Sequence, residues 1–229
     1  MELGELREGR FLSRPNRFVA EVVVAGRRER AHVPNSGRMR ELLRPGARVL
    51  VAPRGGLRQT AFDLALVEQE GRLVSVDARL PPALVAEALS AGGLEGLGPF
   101  RSLRREVPLG ESRVDLRGDA PDAPWYIETK SVTLVRDGVA LFPDAPTSRG
   151  ARHVAELVAA AAQGLGAAVV FVIQREDAEA LRPNEETDPT FASALRRAAP
   201  AVAVLAYRCR VTEEEVAIVQ RVPVLTVLC

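Results

Sequence analysis

Read for its pattern of apolar and polar positions, the chain divides into two styles. In the first third, short runs alternate apolar with polar residues and are separated by Gly and Pro: Arg17–Ala25 (RFVAEVVVA), Arg28–Val33, Ala47–Ala52, Ala61–Val67 and Arg72–Val76. Alternation at a period of two, punctuated in this way, predicts strands. A short turn at Gly26 joins the first two, and a short helix is expected near Arg38–Leu43. Five short strands in so small a span predict a small closed barrel of the OB type.

The period then lengthens. Pro81–Ala91 (PPALVAEALSA) predicts a helix with Leu84, Val85, Ala88 and Leu89 on one face, proline in its first turn and Gly92-Gly93 after its end. Gly92–Gly98 is glycine-dense and marks a join. From Phe100 onward strands and helices alternate. Strands are expected at Leu103–Val107, Ser112–Leu116, Trp125–Val132 and Val139–Phe142, then a helix over Thr147–Gln163 with Thr147 or Ser148 as its cap. Ala167–Gln174 (AAVVFVIQ) is apolar without alternation, as in a strand covered on both faces. A helix at Asp188–Ala199 and strands at Val202–Tyr207, Val216–Val219 and Val224–Leu228 follow. The expected fold class is α+β: a five-stranded OB-like barrel over residues 1–80, then an α/β domain over residues 81–229 with a mixed sheet and helices on both sides.

Composition adds little to the architecture but narrows the function. The chain has 229 residues, 47% hydrophobic and 27% charged, with a net charge of +1. It therefore has no global basic field, and any nucleic-acid surface has to come from local arginine clusters. Cys209 and Cys229 make no disulfide framework. There is neither a signal-peptide pattern nor a long apolar span, so the expected location is the cytoplasm, with no membrane partner.

Candidate chemistry centres on SRVDLRGDAPDAPWYIETK, residues 112–130. Glu128 and Lys130 lie two apart on an expected strand and share a face, and a neighbouring strand brings Asp115 to them. Two carboxylates and an ammonium are the parts of a Mg²⁺ or Mn²⁺ site that cuts phosphodiesters: carboxylate oxygens hold a hard cation and the lysine orients or deprotonates water. The competing reading is a solvated Glu–Lys ion pair worth little. Composition tilts the balance toward the first without closing the second. Lysine and arginine total 31, and Lys130 is the only lysine. A surface ion pair tolerates either residue, whereas a compact ammonium with an adjustable pKa is what water activation requires.

Arginines gather at the ends of the barrel strands: Arg14, Arg17, Arg38, Arg40 and Arg54. The loops Arg14-Pro15-Asn16-Arg17 and Pro34-Asn35-Ser36-Gly37-Arg38 offer donors suited to phosphate oxygens, the alternative being a solvated fringe. Only Phe11, Phe18 and Phe62 could stack on bases there, so backbone contacts with little sequence readout are expected. His32 reads as structural. His153 follows Arg149 by one helical turn, with Glu156 further along the same flank, and is open to a structural or a site role. Neither histidine has companions at zinc spacing.

The runs Ile127–Leu134 (IETKSVTL), Phe142–Gly150 (FPDAPTSRG) and His153–Leu157 (HVAEL) resemble the bacterial and archaeal sugar fermentation stimulation protein (SfsA) family. Arg17-Phe18, Pro34–Met39 (PNSGRM) and Arg113–Leu116 (RVDL) are similar to further motifs of that family, so the resemblance spans nearly the whole chain in order. It implies an OB-like domain followed by a PD-(D/E)xK, restriction-endonuclease-like domain, with Asp115, Glu128 and Lys130 on the nuclease motif. It also implies DNA binding, with a supposed regulatory role in sugar metabolism, Arg113 and Arg149 as phosphate contacts, and a homodimer as the expectation carried by the nuclease fold. Glu87 is similar to the extra acid such nucleases place on the preceding helix, with Glu106 as competitor. The family usually reads Thr-Glu-Arg-Gly where this chain has Thr147-Ser148-Arg149-Gly150, which leaves the acidic shell one group short. Two functions remain open: a metal-dependent nuclease, or a DNA-binding protein that uses the nuclease fold only to grip the backbone.

Overall fold

The computed structural model describes residues 1–55 and 59–225. Six strands, β1 (Arg7–Asn16), β2 (Val19–Val24), β3 (Arg27–His32), β4 (Arg48–Pro53), β5 (Phe62–Gln69) and β6 (Arg72–Ser75), form one sheet in the order β3-β2-β1-β4-β5-β6. Parallel pairing of Ala31 and His32 with Phe62 and Asp63 joins β3 to β5. β1 to β5 therefore close a five-stranded barrel around Phe11, Val22, Met39, Leu64 and their neighbours.

The strand number matches the sequence expectation, but the membership differs. β1 was not anticipated, and the expected strand at Arg72–Val76 is a hairpin partner of β5 outside the closed ring. The short helix expected near Arg38–Leu43 is a single turn, in which Leu43 donates its backbone N–H to the Met39 carbonyl at 2.9 Å. Met39 has φ +49°, a left-handed conformation that no helix interior accommodates.

α1 (Pro81–Ser90) leads to a second six-stranded sheet in the order β15-β14-β12-β9-β8-β7. Its strands are β7 (Ser102–Leu109), β8 (Ser112–Asp119), β9 (Pro124–Val132), β12 (Gly166–Ile173), β14 (Ala203–Val211) and β15 (Val216–Val222). β9, β12 and β14 run parallel; β7, β8 and β15 join antiparallel, giving the mixed sheet expected. A small sheet of β10 (Val135–Arg136), β11 (Val139–Phe142) and β13 (Ala180–Pro183) lies beside it, and α2 (Ser148–Ala162) and α3 (Pro189–Ala198) complete the chain. The expected strand at Val224–Leu228 extends beyond the described residues; within them Val224 makes only an isolated bridge to Leu181.

β12 shows why its sequence lacks alternation. Ala167, Val169, Phe171 and Ile173 pack with α2 and α3, whereas Ala168, Val170 and Val172 pack with α1 and with Leu50 and Leu66 of the barrel. Both faces are dry, so both need apolar side chains. Among the described residues no helix is long and apolar enough to cross a membrane.

The barrel is fastened to the sheet by buried polar groups. Gln174, fully buried after β12, donates Nε2–H to the Asp77 carbonyl (3.1 Å) and to Ser131 Oγ (2.9 Å), while Ser75 donates to its Oε1 (3.2 Å). Asp144, in the loop before α2, accepts the Met39 N–H on Oδ2 at 2.6 Å. Its approach also leaves little space at Gly37, where an added Cβ would lie 3.1 Å from Asp144 Oδ2 and 3.0 Å from Asn35 Oδ1. A hydrogen bond to a charged acceptor contributes roughly 1.5–3 kcal/mol. Asp144→Ala is expected to lower the unfolding free energy by about that amount and to speed hydrogen exchange at the Met39 amide. Unchanged protection at Met39 would show that this bond does not fasten the loop.

Candidate functional site

Asp115 sits where the sheet's regular pairing breaks. β8 pairs with β7 through Arg105↔Leu116 and Val107↔Val114, passing over the step at Glu106 and Asp115, and Glu106 has φ +52°. On its other side β8 pairs with β9 only from Leu116↔Ile127 outward. The Asp115 carboxylate takes the place of a ladder partner: Oδ2 accepts the Thr129 N–H at 2.7 Å and the Thr129 hydroxyl at 2.6 Å. Val114 and Leu116 accordingly belong to the cores on opposite faces of the sheet, although strict alternation would put them on one.

Glu128, on β9, is only 4% exposed. Its Oε1 receives Lys130 Nζ at 2.5 Å and meets His153 Nδ1 at 2.5 Å. Its Oε2 is buried and has no hydrogen-bond partner among the described residues. His153 projects from α2 and is 3% exposed; Arg149, one turn earlier, donates Nε–H to His153 Nε2 at 3.3 Å. The helix is seated by its cap. Thr147 Oγ1 accepts the Gly150 N–H at 3.0 Å, and Thr147 donates its own N–H to Asp188 Oδ2 at 2.7 Å. Asp188 Oδ1 in turn accepts from Phe191 N–H at 2.9 Å and caps α3, so one carboxylate fixes both helix starts. Ser148 is the exposed first residue of α2 and does not cap it.

The two carboxylates are displaced in opposite directions. Burial raises the Asp115 carboxyl above its ordinary range, and the Glu128 charge raises it further. Burial would also raise Glu128, but the hydrogen bond with His153 and the charge and hydrogen bond of Lys130 outweigh it and hold Glu128 low.

The other expected site residues are distributed as follows. Glu87 is not part of the cluster: its side chain is 58% exposed on α1, across the sheet from α2, and pairs with the Met1 amino group at 3.3 Å. Glu106 lies across from Asp115 on β7 but is exposed. Arg14 is not available to a ligand in the way expected. Its Nη1 donates to the Gly37 and Arg38 carbonyls (both 2.8 Å) and its Nη2 to those of Arg17 (2.6 Å) and Asn35 (3.0 Å), so it staples the loop together. Asn16 is exposed and lines the depression that carries Arg38 and Arg40, with its Oδ1 accepting the Phe18 N–H at 2.9 Å. Arg17 and Arg38 are exposed. Arg113 is exposed and donates to the Glu106 carbonyl. Arg149 is exposed but gives its Nε to His153.

Lys130 borders a cleft of about 240 Å³ at the domain junction, whose walls include Arg17, Asn35, Gly37, Thr133 and Asp144. A shallower depression carrying Arg38 and Arg40 shares Arg17, Ser36 and Gly37 with it, so the arginine loops of the barrel open toward Lys130. On the α2 side a second hollow of about 310 Å³ is lined by Arg113, Arg149, Arg152 and His153. Three contributors escaped the reading of the sequence or stood open in it. Thr129 orients Asp115; His153 is on Glu128; and Phe18, 50% exposed beside Arg17, offers an aromatic face. The i, i+4 spacing of Arg149 and His153 was the signal for the histidine, and the scarcity of aromatics near the arginine loops was the signal for Phe18; Thr129 had none. Among the described residues no three His, Cys, Asp or Glu side chains gather as a metal-ligand group.

An OB barrel joined through one helix to a mixed sheet, with Lys130 at the junction and Glu128 beside it on the same strand, defines a two-domain protein of OB-plus-α/β type. Residues 12–76 match the SfsA N-terminal OB domain, and residues 79–215 match the sugar fermentation stimulation protein RE domain. The chain belongs to the sugar fermentation stimulation protein family. It is 51% identical over 219 residues to the homolog of Moorella thermoacetica, covering 93% of this chain and 94% of that one. With the homolog of Chloroflexus aurantiacus it shares 46% identity over 96% of this chain and 85% of that one. The solved structure of Pyrococcus furiosus SfsA in complex with Ca²⁺ superposes with a TM-score of 0.91 at 31% identity, over 98% of each chain.

The opposite displacements give opposite expectations. Asp115, raised in the folded state, helps folding below its unfolded pKa and loses that contribution as pH rises through its folded value, so its burial opposes folding above the ordinary carboxylate range. Glu128, depressed, helps above its unfolded pKa and loses that contribution as pH falls through its folded value. In metal-free protein at pH 7, Asp115→Asn is expected to raise Tm and Glu128→Gln to lower it, both differences shrinking on acidification below the ordinary carboxylate range. Shifts of the same sign in both variants would contradict the opposed displacements.

Proposed function

We propose that this protein binds nucleic acid through its phosphate backbone and cleaves phosphodiester bonds at Asp115, Glu128 and Lys130 with the help of Mg²⁺ or Mn²⁺. The observation that carries this reading is Glu128 Oε2, a carboxylate oxygen buried without a partner among the described residues. A buried acceptor oxygen left without a hydrogen bond is costly, and such an atom asks for a ligand. The donor set suits a hard cation: both groups supply oxygen only, and Asp115 Oδ1 is free of protein partners among the described residues. With only two protein carboxylates, the remaining coordination positions fall to waters, as Mg²⁺ prefers. That the Pyrococcus furiosus relative was solved with Ca²⁺, another oxygen-seeking cation, supports the same reading.

Mg²⁺ or Mn²⁺ held there would supply Lewis-acid polarisation of the phosphodiester. The chain's own groups do the rest. Thr129 and the break in the β8 ladder aim Asp115; Lys130, bordering the cleft, orients or deprotonates a water and steadies a phosphate oxygen; Arg17 and Arg38 on one side and Arg113 and Arg152 on the other bind backbone phosphates. That no third acid gathers with Asp115 and Glu128 among the described residues favours the second reading, binding without cleavage.

Incubation of pure protein with single-stranded, duplex and branched DNA in Mn²⁺, Mg²⁺ or EDTA separates the two. Metal-dependent nicks are expected, lost by roughly 10²-fold or more in Lys130→Arg with fold and DNA affinity kept. Binding without cleavage under every condition would leave the binding-only reading, and near wild-type cleavage by Lys130→Arg would remove the lysine from the chemistry. Affinity is also expected to fall steeply with salt, and Arg17→Ala with Arg38→Ala to flatten that slope by about one unit for each arginine. An unchanged slope would take the barrel off the nucleic-acid surface.

A further inference from the structure

We propose that His153, itself fixed by Arg149, is a positioning residue that presents one chosen oxygen of Glu128 to a cation. The inference rests on the reading of Glu128 as a cation ligand given above. It begins from the donor inventory of a guanidinium, which has N–H groups only and no acceptor. Arg149 Nε–H points at His153 Nε2 at 3.3 Å, so Nε2 is the ring's acceptor. The ring proton then sits on Nδ1, and Nδ1–H donates to Glu128 Oε1 at 2.5 Å. Lys130 Nζ donates to the same oxygen, also at 2.5 Å.

Both donors therefore converge on Oε1 and none reaches Oε2, although both oxygens belong to one buried carboxylate. A carboxylate held by one flexible lysine can rotate and exchange its oxygens. One held by a lysine from its own strand and an imidazole from a helix across the sheet face cannot. The ring has no freedom of its own: His153 is 3% exposed, and its helix is pinned by the Thr147 cap, by Asp188, and by Val154 and Leu157 in the core. The chain Arg149–His153–Glu128 thus sets the tautomer, the tautomer sets which oxygen is occupied, and the other oxygen is left for the ligand. Groups of this kind, one bond removed from a metal, typically change affinity by about 10–100-fold when removed.

Two measurements test the proposal. The chain has two histidines, so ring ¹⁵N–¹H correlation spectra of the uniformly labelled, metal-free protein hold two spin systems. His153→Asn removes one and so assigns it. The expected pattern for His153 is a protonated Nδ1 and a bare Nε2; a proton on Nε2 overturns the proposal whatever the fate of the nuclease reading. The second measurement is Mn²⁺ affinity by calorimetry, with the far-UV circular dichroism spectrum in EDTA as the control for fold. His153→Leu is expected to weaken Mn²⁺ binding by roughly 10–100-fold. His153→Asn, whose amide nitrogen reaches the Nδ1 position, is expected to recover most of it, whereas His153→Gln, which reaches only toward Nε2, is not. Equal Mn²⁺ affinity in wild type, His153→Leu and His153→Gln overturns the positioning role. Mn²⁺ binding unaffected by Asp115→Asn would instead strike the cation site itself, and the positioning proposal with it.

Discussion

The site depends on keeping one carboxylate, Glu128, charged inside a sheet. Removing a carboxylate from water costs several kcal/mol even after relaxation, and burial next to a single opposite charge seldom repays it. Glu128 is held in that state by two donors on one oxygen, from Lys130 and His153, and both bonds require elements far apart in sequence to be in place. β9 must lie beside β12 and under α2, and α2 must begin where Thr147 and Asp188 start it. Such a cluster is a weak source of stability. Its consequence is a unique geometry, because a misplaced helix or a slipped strand would leave the charge uncompensated.

The same logic joins the barrel to the site. An apolar seam between Leu50 and Leu66 of the barrel and Val170 and Val172 of the sheet would hold the two together but would not fix their register. Gln174 does fix it, because Ser75, the Asp77 carbonyl and Ser131 must all meet it at once. Ser131 is the residue after Lys130, so the hydrogen bond that docks the barrel also steadies the strand that carries the lysine. Asp144 acts similarly from the other side, holding the loop through Met39 within reach of the cleft. The arginines of the barrel thereby face the cleft as part of one surface.

The sequence made most of this architecture legible, and its omissions have physical causes. β1 was missed because its buried face is made by Gly9 and Phe11, and a glycine carries no apolar signal. Its smallness is nonetheless required, since a Cβ there would lie 2.8 Å from the Val23 carbonyl oxygen. The segment at Arg38–Leu43 has helical composition, but Met39 donates its N–H to Asp144 from 105 residues away, a tertiary claim that no local pattern reveals. Asp115, Glu128 and Lys130 were readable because strand periodicity alone places Glu128 and Lys130 together and a neighbouring strand supplies the third group. Arg14 and Arg17 look alike in sequence and differ in fate, one consumed by four carbonyls and the other exposed; only the fold of the loop separates them. Glu87 failed for a simpler reason: α1 covers the opposite face of the sheet.

The lone lysine acquires a geometric explanation from the same arrangement. An arginine in its place would bring a planar fork whose natural mate is the whole carboxylate, with two parallel N–H···O bonds, one to each oxygen. Set against Glu128, that fork would occupy Oε2 as well as Oε1. A lysine is a point donor: it neutralises the charge through Oε1 and leaves Oε2 open. His153 is constrained in the same sense, offering a single N–H to the same oxygen. A chain that uses arginine at every other basic position departs from the habit at the one place where a fork would close the atom the site keeps free.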